Sequence, residues 1–241
     1  MFIFTVKNLT LKKGERMVLP VAEFPLEYTD LYTLEIPFAP PPEVRRSFNS
    51  QRQAELAKLF HAPKVMHKIR LRNKSPYPLT TAPAIIQQDG RLLGQGMMTY
   101  TPAGGSVDLT ITTAVDVSVK KSDTETGRTP NAATRGGYKY DRINLEGSIS
   151  LTNYRNKAVE LEIVRYVLGN ASDAGKGRIE KVNVHEGAWQ IGRGYPNWWR
   201  WYSWPSWWHH LNGMSRVQWK IKLEAGKSVE LPYKWHYFWR G

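Results

Sequence analysis

Alternation of apolar and polar residues dominates this chain and limits what it can fold into. The stretches VDLTITTAVDVSVKK and KAVELEIV are examples. Such a period of two gives an extended strand one apolar face and one polar face. Turn residues recur between these stretches, at 88–90, 102–105 and 224–227, and the last of them predicts a hairpin-like pair of strands. The pattern predicts an all-β fold, a β-sandwich of antiparallel sheets.

One segment departs from this pattern and predicts a helix. Residues 51–60 place Leu56, Leu59 and Phe60 on one helical face. Ser50 stands where an N-cap is expected, and Pro63 follows the helical pattern. We therefore expect one short helix in an otherwise β-rich chain.

The chain shows no sharp compositional boundary, so we expect one β-rich unit over 1–241. It divides into an N-terminal β segment at 1–42, a linker with the short helix at 43–62, and a sandwich core at 63–241. A Trp-rich loop at 195–211 interrupts the core.

Three further segments carry particular expectations. The first 21 residues predict two strands around a turn at 12–15, and residues 31–38 predict another strand, stopped by a run of prolines. The polar, glycine-rich segment 122–139 predicts an exposed loop or a flexible excursion between paired strands.

Composition excludes several kinds of protein. The chain has no cysteine, which removes disulfides, thiolate catalysis and cysteine-bound zinc. It has no run of about 18 apolar residues, so no transmembrane helix is expected. Its N-terminus is apolar first and charged later, the reverse of a secretory signal. The formal net charge of +13 fits either solubility or an anionic partner, and the densest basic blocks are 44–58, 66–74 and 119–128.

Spacings that would indicate catalysis or metal binding are missing from the sequence. None of the six histidines lies in an HExxH pattern, and the adjacent His209 and His210 would need ligands from elsewhere. Glu160 and Glu162 share one face of a strand, which predicts a solvated face opposite a buried one. There is no P-loop, GxGxxG or nucleophile elbow. We therefore predict no catalytic residue, no cofactor, no metal and no enzymatic activity.

All ten tryptophans lie from Trp189 onward. Trp189, Trp219 and Trp235 fit strand patterns, so we expect them in the core or at its rim. The six between Trp198 and Trp208 do not alternate. They predict either a short helical flap after Pro196 that caps one end of the sandwich, or an exposed aromatic patch that binds a partner.

Several stretches resemble the DUF4139 family, whose members are bacterial and β-rich. The segments TTAPAIIQQDGRLLGQGMMTYTPAGG, SLTNYRNKAVELEI and WKIKLEAGKSVELPYKWHYF follow that family's order of motifs, with Ala225 in place of its usual proline. The matching residues of the first segment are Thr81, Pro83, Ala84, Gly94, Tyr100, Thr101, Pro102 and Gly105. The resemblance implies a location in the cell envelope, periplasmic or extracellular, and no agreed catalytic residues.

These observations predict a non-enzymatic structural or interaction module of the bacterial cell envelope. It would assemble with itself or another envelope protein through the Trp-rich segment, since Trp and Arg are enriched at binding hot spots. The alternatives are carbohydrate binding and association with anionic membrane surfaces. Nucleic acid is less favoured, because no recognised binding module accompanies the aromatic residues. The predicted binding residues are Trp198, Trp199, Arg200, Trp201, Tyr202, Trp204, Trp207, Trp208 and His209.

Overall fold

The computed structural model describes residues 7–20, 22–60, 63–182 and 197–241. Their strands are β1 (Glu27–Ile36), β2 (Met66–Arg72), β3 (Ala82–Gln88), β4 (Arg91–Met98), β5 (Ser106–Thr113), β6 (Val117–Arg135), β7 (Tyr138–Asn153), β8 (Val159–Val167), β9 (Asn170–Asp173), β10 (Arg178–Val182), β11 (Met214–Leu223) and β12 (Ser228–Trp239). Their helices are α1 (Pro42–Arg46), α2 (Ser50–Leu59), the 3₁₀ helix η1 (Asn197–Trp201) and α3 (Ser206–Leu211).

The strands form three sheets that are mainly antiparallel, which confirms the predicted fold class. The first sheet has the order β10-β11-β8-β1-β2-β5, and the second has the order β6-β7-β12-β9. The hairpin β3-β4 is a separate two-stranded sheet. Strands β1 and β8 pair in parallel, with Leu34 opposite Ile163.

Alternation along the strands builds the core between the first two sheets. In β8, Val159, Leu161 and Ile163 are buried. Between them Glu162 faces outward and forms ion pairs with Arg70 and Lys220, so the predicted solvated face is confirmed. The second sheet adds residues such as Ile149 and Leu151 of β7 to the same apolar cluster.

The predicted turn at 224–227 joins the two large sheets rather than two partners of a hairpin. The turn at 224–227 forms, with Gly226 at φ 68°, but β11 belongs to the first sheet and β12 to the second. The pairing expected across this turn is therefore wrong. The buried Asn153 holds this crossover beside the one between β7 and β8, because its Nδ2 donates to the carbonyls of Leu223 at 3.0 Å and Lys157 at 2.9 Å.

Hairpins form where the backbone can take a positive φ. Asp89 and Gly90, with φ of 50° and 74°, connect β3 to β4 as predicted. Gly136 and Gly137 connect β6 to β7. The expectation of a loop at 122–139 is wrong, because most of this segment pairs within the β6-β7 ladder.

The N-terminal segment does not form the expected strands within its described part. The turn at 12–15 is present, with the Glu15 amide donating to the Lys12 carbonyl at 3.1 Å. Residues 7–20 are exposed and belong to no strand. An amphipathic pattern needs a neighbouring strand to pair with, and no described strand pairs with this one.

The predicted helix is confirmed as α2, but its cap is one residue earlier than expected. The Asn49 side chain accepts a hydrogen bond from the Arg52 amide at 2.9 Å, so Asn49 rather than Ser50 is the N-cap. Helix α1 was not predicted. Its first residue is Pro42, which fits the first turn because the amide it lacks would have no partner there.

A buried ion pair connects the two large sheets. Arg165 of β8 is 2% exposed, and its guanidinium donates to Asp123 of β6 at 3.0 Å, the Tyr233 hydroxyl of β12 at 3.1 Å and the Pro37 carbonyl at 2.6 Å. Asp123 also accepts from the Tyr233 hydroxyl at 2.7 Å, the Trp235 indole at 3.2 Å and Lys121 at 2.5 Å. Burial opposes ionisation of Asp123, but Arg165 and Lys121 outweigh it and hold its pKa below the usual range.

Gly147 lies opposite Tyr233 and leaves room for its ring. A Cβ at this position would overlap the Tyr233 ring. We therefore expect Gly147→Ala to lower the free energy of unfolding by about 1–3 kcal/mol, as overpacking does. Denaturant unfolding followed by circular dichroism measures this. The control is Gly96→Ala in β4, where the added methyl meets no atom within 4 Å. Equal stability of the two variants would contradict the packing.

We expect Asp123→Asn to lower the free energy of unfolding at neutral pH by about 3–5 kcal/mol, because it leaves Arg165 buried without its anion. The folded-state pKa of Asp123 is lowered, so its contribution is present above the unfolded-state pKa and is lost as the pH falls through the folded-state value. The stability difference between wild type and variant should therefore shrink below about pH 4. A difference that grows on acidification would contradict this account.

Candidate functional site

The Trp-rich segment forms a helical cap over one end of the sandwich. We call its described part, residues 197–211, the aromatic cap. Helices η1 and α3 form most of it, and α3 begins directly after Pro205. The predicted helical flap is therefore confirmed. Asn212 holds its C-terminal end, because its side chain exchanges two hydrogen bonds with the backbone of Phe238.

Two tryptophans of the aromatic cap are part of the core. Trp198 and Trp208 are each 1% exposed. Trp198 meets Phe38 edge-on with ring centroids 5.5 Å apart. The ring centroids of Trp208 and Trp239 lie 5.6 Å apart. The expectation of an exposed patch is wrong for these two residues, because aromatic side chains from distant parts of the chain cover them.

The other aromatic residues of the cap are half-buried. The rings of Trp199 and Trp204 stack with their centroids 4.2 Å apart. The Trp204 indole N–H also donates a hydrogen bond to the Trp199 carbonyl at 3.0 Å. Trp207 packs against Tyr140 of β7 at 4.9 Å. We call the half-buried set the aromatic rim; it consists of Trp199, Trp201, Tyr202, Trp204, Trp207 and Trp239.

Polar residues lie beside the aromatic rim. Arg200, His209 and His210 are exposed. The His209 ring lies 6.1 Å from that of Trp199. The structure thus brings all nine predicted binding residues into one cap, with two of them inside it.

The aromatic cap also contacts helix α2 and the segment just before it, while α1 contacts the neighbouring strand β12. Trp201 meets Phe48 edge-on at 5.6 Å, and the Arg52 guanidinium of α2 lies 5.9 Å from the Trp201 ring. In α1, Glu43 accepts a hydrogen bond from the Tyr237 hydroxyl of β12 at 3.0 Å. Burial, followed by the charge of Glu43, raises the pKa of Tyr237.

The remaining predicted core tryptophans have different outcomes. Trp219 and Trp235 are buried at 3% and 9% exposure, as expected. Trp189 lies outside the described residues. Within the described part of the chain, no group of three or more His, Asp or Glu side chains is arranged to hold a metal ion, and no helix is long and apolar enough to cross a membrane.

The structure also contains a cluster of basic side chains that was not predicted as a site. A cleft of about 580 Å³ lies between α1, α2, the end of β1 and β6. It is lined by Arg45, Lys58, Lys64 and Lys121. The basic blocks at 44–58 and 119–128 were sequence signals for this cleft, but Lys64 lies outside every such block.

Comparison with known proteins finds no matching family model, no matching curated protein and no matching solved structure. The resemblance to the DUF4139 family therefore stays a prediction.

The buried and half-buried tryptophans should differ in their effect on stability. We expect Trp208→Ala to lower the free energy of unfolding by about 3–5 kcal/mol, because it opens a cavity in the core. Trp201→Ala should cost less, since its ring is partly in water already. Urea unfolding followed by far-ultraviolet circular dichroism measures both. Equal losses would contradict the division between core and rim.

Proposed function

We propose that this chain is a non-enzymatic interaction module of the bacterial cell envelope. It docks a protein partner, first of all another copy of itself, on the aromatic rim. The envelope location is proposed because the resemblance to the DUF4139 family implies it.

The observation that carries the proposal is the continuity of the half-buried rings. The ring centroid of Tyr202 lies 5.1 Å from that of Trp204 and 6.5 Å from that of Trp239. The ring centroids of Trp239 and Trp207 lie 5.6 Å apart. Tryptophan, tyrosine and arginine are the residues most enriched at binding hot spots. The core tryptophans beneath hold these rings in place, so little side-chain entropy is lost when a partner covers them.

Carbohydrate binding by the same residues has weaker support. Stacking on a sugar needs a free, flat aromatic face. Trp199 and Trp204 stack on each other with an interplanar angle of 17°, which covers one face of each ring.

Association with an anionic membrane surface is the second candidate. Arg52 over the Trp201 ring places a cation beside the rim, and Arg45 and Arg46 lie on the neighbouring helix α1. Tryptophan and arginine together suit the headgroup region of a bilayer. Cosedimentation with anionic vesicles that weakens with added salt would support this candidate over a protein partner.

The test of self-assembly changes exposed residues beside the rim and leaves the core intact. We expect the wild-type chain to gain mass with concentration in light scattering. The double variant Arg200→Glu with His210→Glu should stay monomeric, because its two new carboxylates would have to be buried in the contact between copies.

The control is Lys12→Glu with Lys13→Glu, two exposed residues of the N-terminal turn whose change in net charge is at least as large. It should assemble like the wild type. A wild-type chain that stays monomeric at every concentration would rule out self-assembly, and equal loss in both variants would show a general effect of charge.

A further inference from the structure

The cleft beside helices α1 and α2 collects cations from four separate parts of the chain. Arg45 comes from α1, Lys58 from α2, Lys64 from the segment before β2, and Lys121 from β6. Glu35 is the one carboxylate among the described residues that line the cleft. Four cations against one carboxylate leave the cleft strongly positive.

Most of these cations are not neutralised by neighbours. Among the described residues, Arg45, Lys58 and Lys64 take part in no ion pair. Each of these three side chains belongs to an exposed residue. Lys121 does pair with Asp123, but that carboxylate also serves Arg165. The positive charge at the cleft is therefore available to a ligand.

The surroundings of Lys121 show the same excess of positive charge. Its side chain is 25% exposed. Burial lowers the pKa of Lys121, and repulsion from Arg165 and Arg45 lowers it further against the opposing effect of Asp123. A bound anion would offset this repulsion.

Apolar side chains form the rest of the cleft. Ile36 and Pro37 line it from the first sheet, and Leu56, Leu59 and Phe60 line it from α2 and its C-terminal end. Leu59 is 56% exposed. A free inorganic ion would leave this apolar surface in water, whereas an organic anion would cover it.

We propose that this cleft binds the phosphoryl group of an organic phosphate, with the organic part against Leu56, Leu59 and Phe60. A phosphate monoester carries close to two negative charges near neutral pH and has several acceptor oxygens, which suits one guanidinium and three ammonium groups better than a single carboxylate. Arginine binds phosphate oxygens in a bidentate manner, and lysine adds point charges around it. The site is separate from the aromatic rim, so either proposal can fail without the other.

The test is isothermal titration calorimetry of the full chain with hexyl phosphate. We expect saturable binding that weakens at least about tenfold in the double variant Lys58→Gln with Lys64→Gln, because each removed ammonium group takes a charged hydrogen bond with it. The control variant Lys12→Gln with Lys13→Gln makes the same change in net charge away from the cleft and should bind like the wild type. Circular dichroism checks that both variants are folded.

Three other titrants identify the ligand. Hexanoate should bind more weakly than hexyl phosphate, and inorganic phosphate should too. Vesicles of phosphatidylcholine with phosphatidic acid separate a lipid source from a free organic phosphate, since a lipid ligand predicts vesicle binding that the Lys58 and Lys64 changes abolish. The proposal is overturned if hexyl phosphate does not bind, if both double variants lose affinity equally, or if hexanoate binds as tightly.

Discussion

The contact between Arg165 and Asp123 is the interaction on which the packing of the two large sheets depends. It connects β8 of the first sheet to β6 of the second, and Tyr233 of β12 completes it. A guanidinium that is 2% exposed is tolerated only because each of its three nitrogen atoms donates to an acceptor. The position of β6 is thereby set, and with it the position of Lys121 at the basic cleft.

The aromatic cap has a different role, because it closes the open end of the core between those sheets. Trp198 and Trp208 fill this end and contact Phe38, Tyr237 and Trp239. Six half-buried rings then remain above them because so many large side chains cannot all be enclosed in one place. One segment therefore supplies both core and surface, and the stable inner part keeps the outer part ordered.

The sequence predicted those elements that carry their own signal and missed those that depend on distant partners. Strands such as β7 and β8 alternate clearly, and Asp89-Gly90 specifies its turn. Alternation does not encode which sheet a strand joins, so the pairing predicted across 224–227 was wrong. Residues 7–20 have the pattern but pair with no strand in the described part of the chain. Arg165 stands on the same face as Leu161 and Ile163, so its burial was readable from the sequence. The burial of Trp198 was not, since Phe38 lies far away in the chain.

The most direct test of the account is fluorine NMR of the chain labelled with 5-fluorotryptophan, with resonances assigned by single Trp→Phe substitutions. The change in chemical shift between H₂O and D₂O reports the contact of each ring with solvent. We expect almost no change for Trp198 and Trp208 and clear changes for Trp201 and Trp207. Large changes at all four positions would contradict a cap whose inner tryptophans close the core.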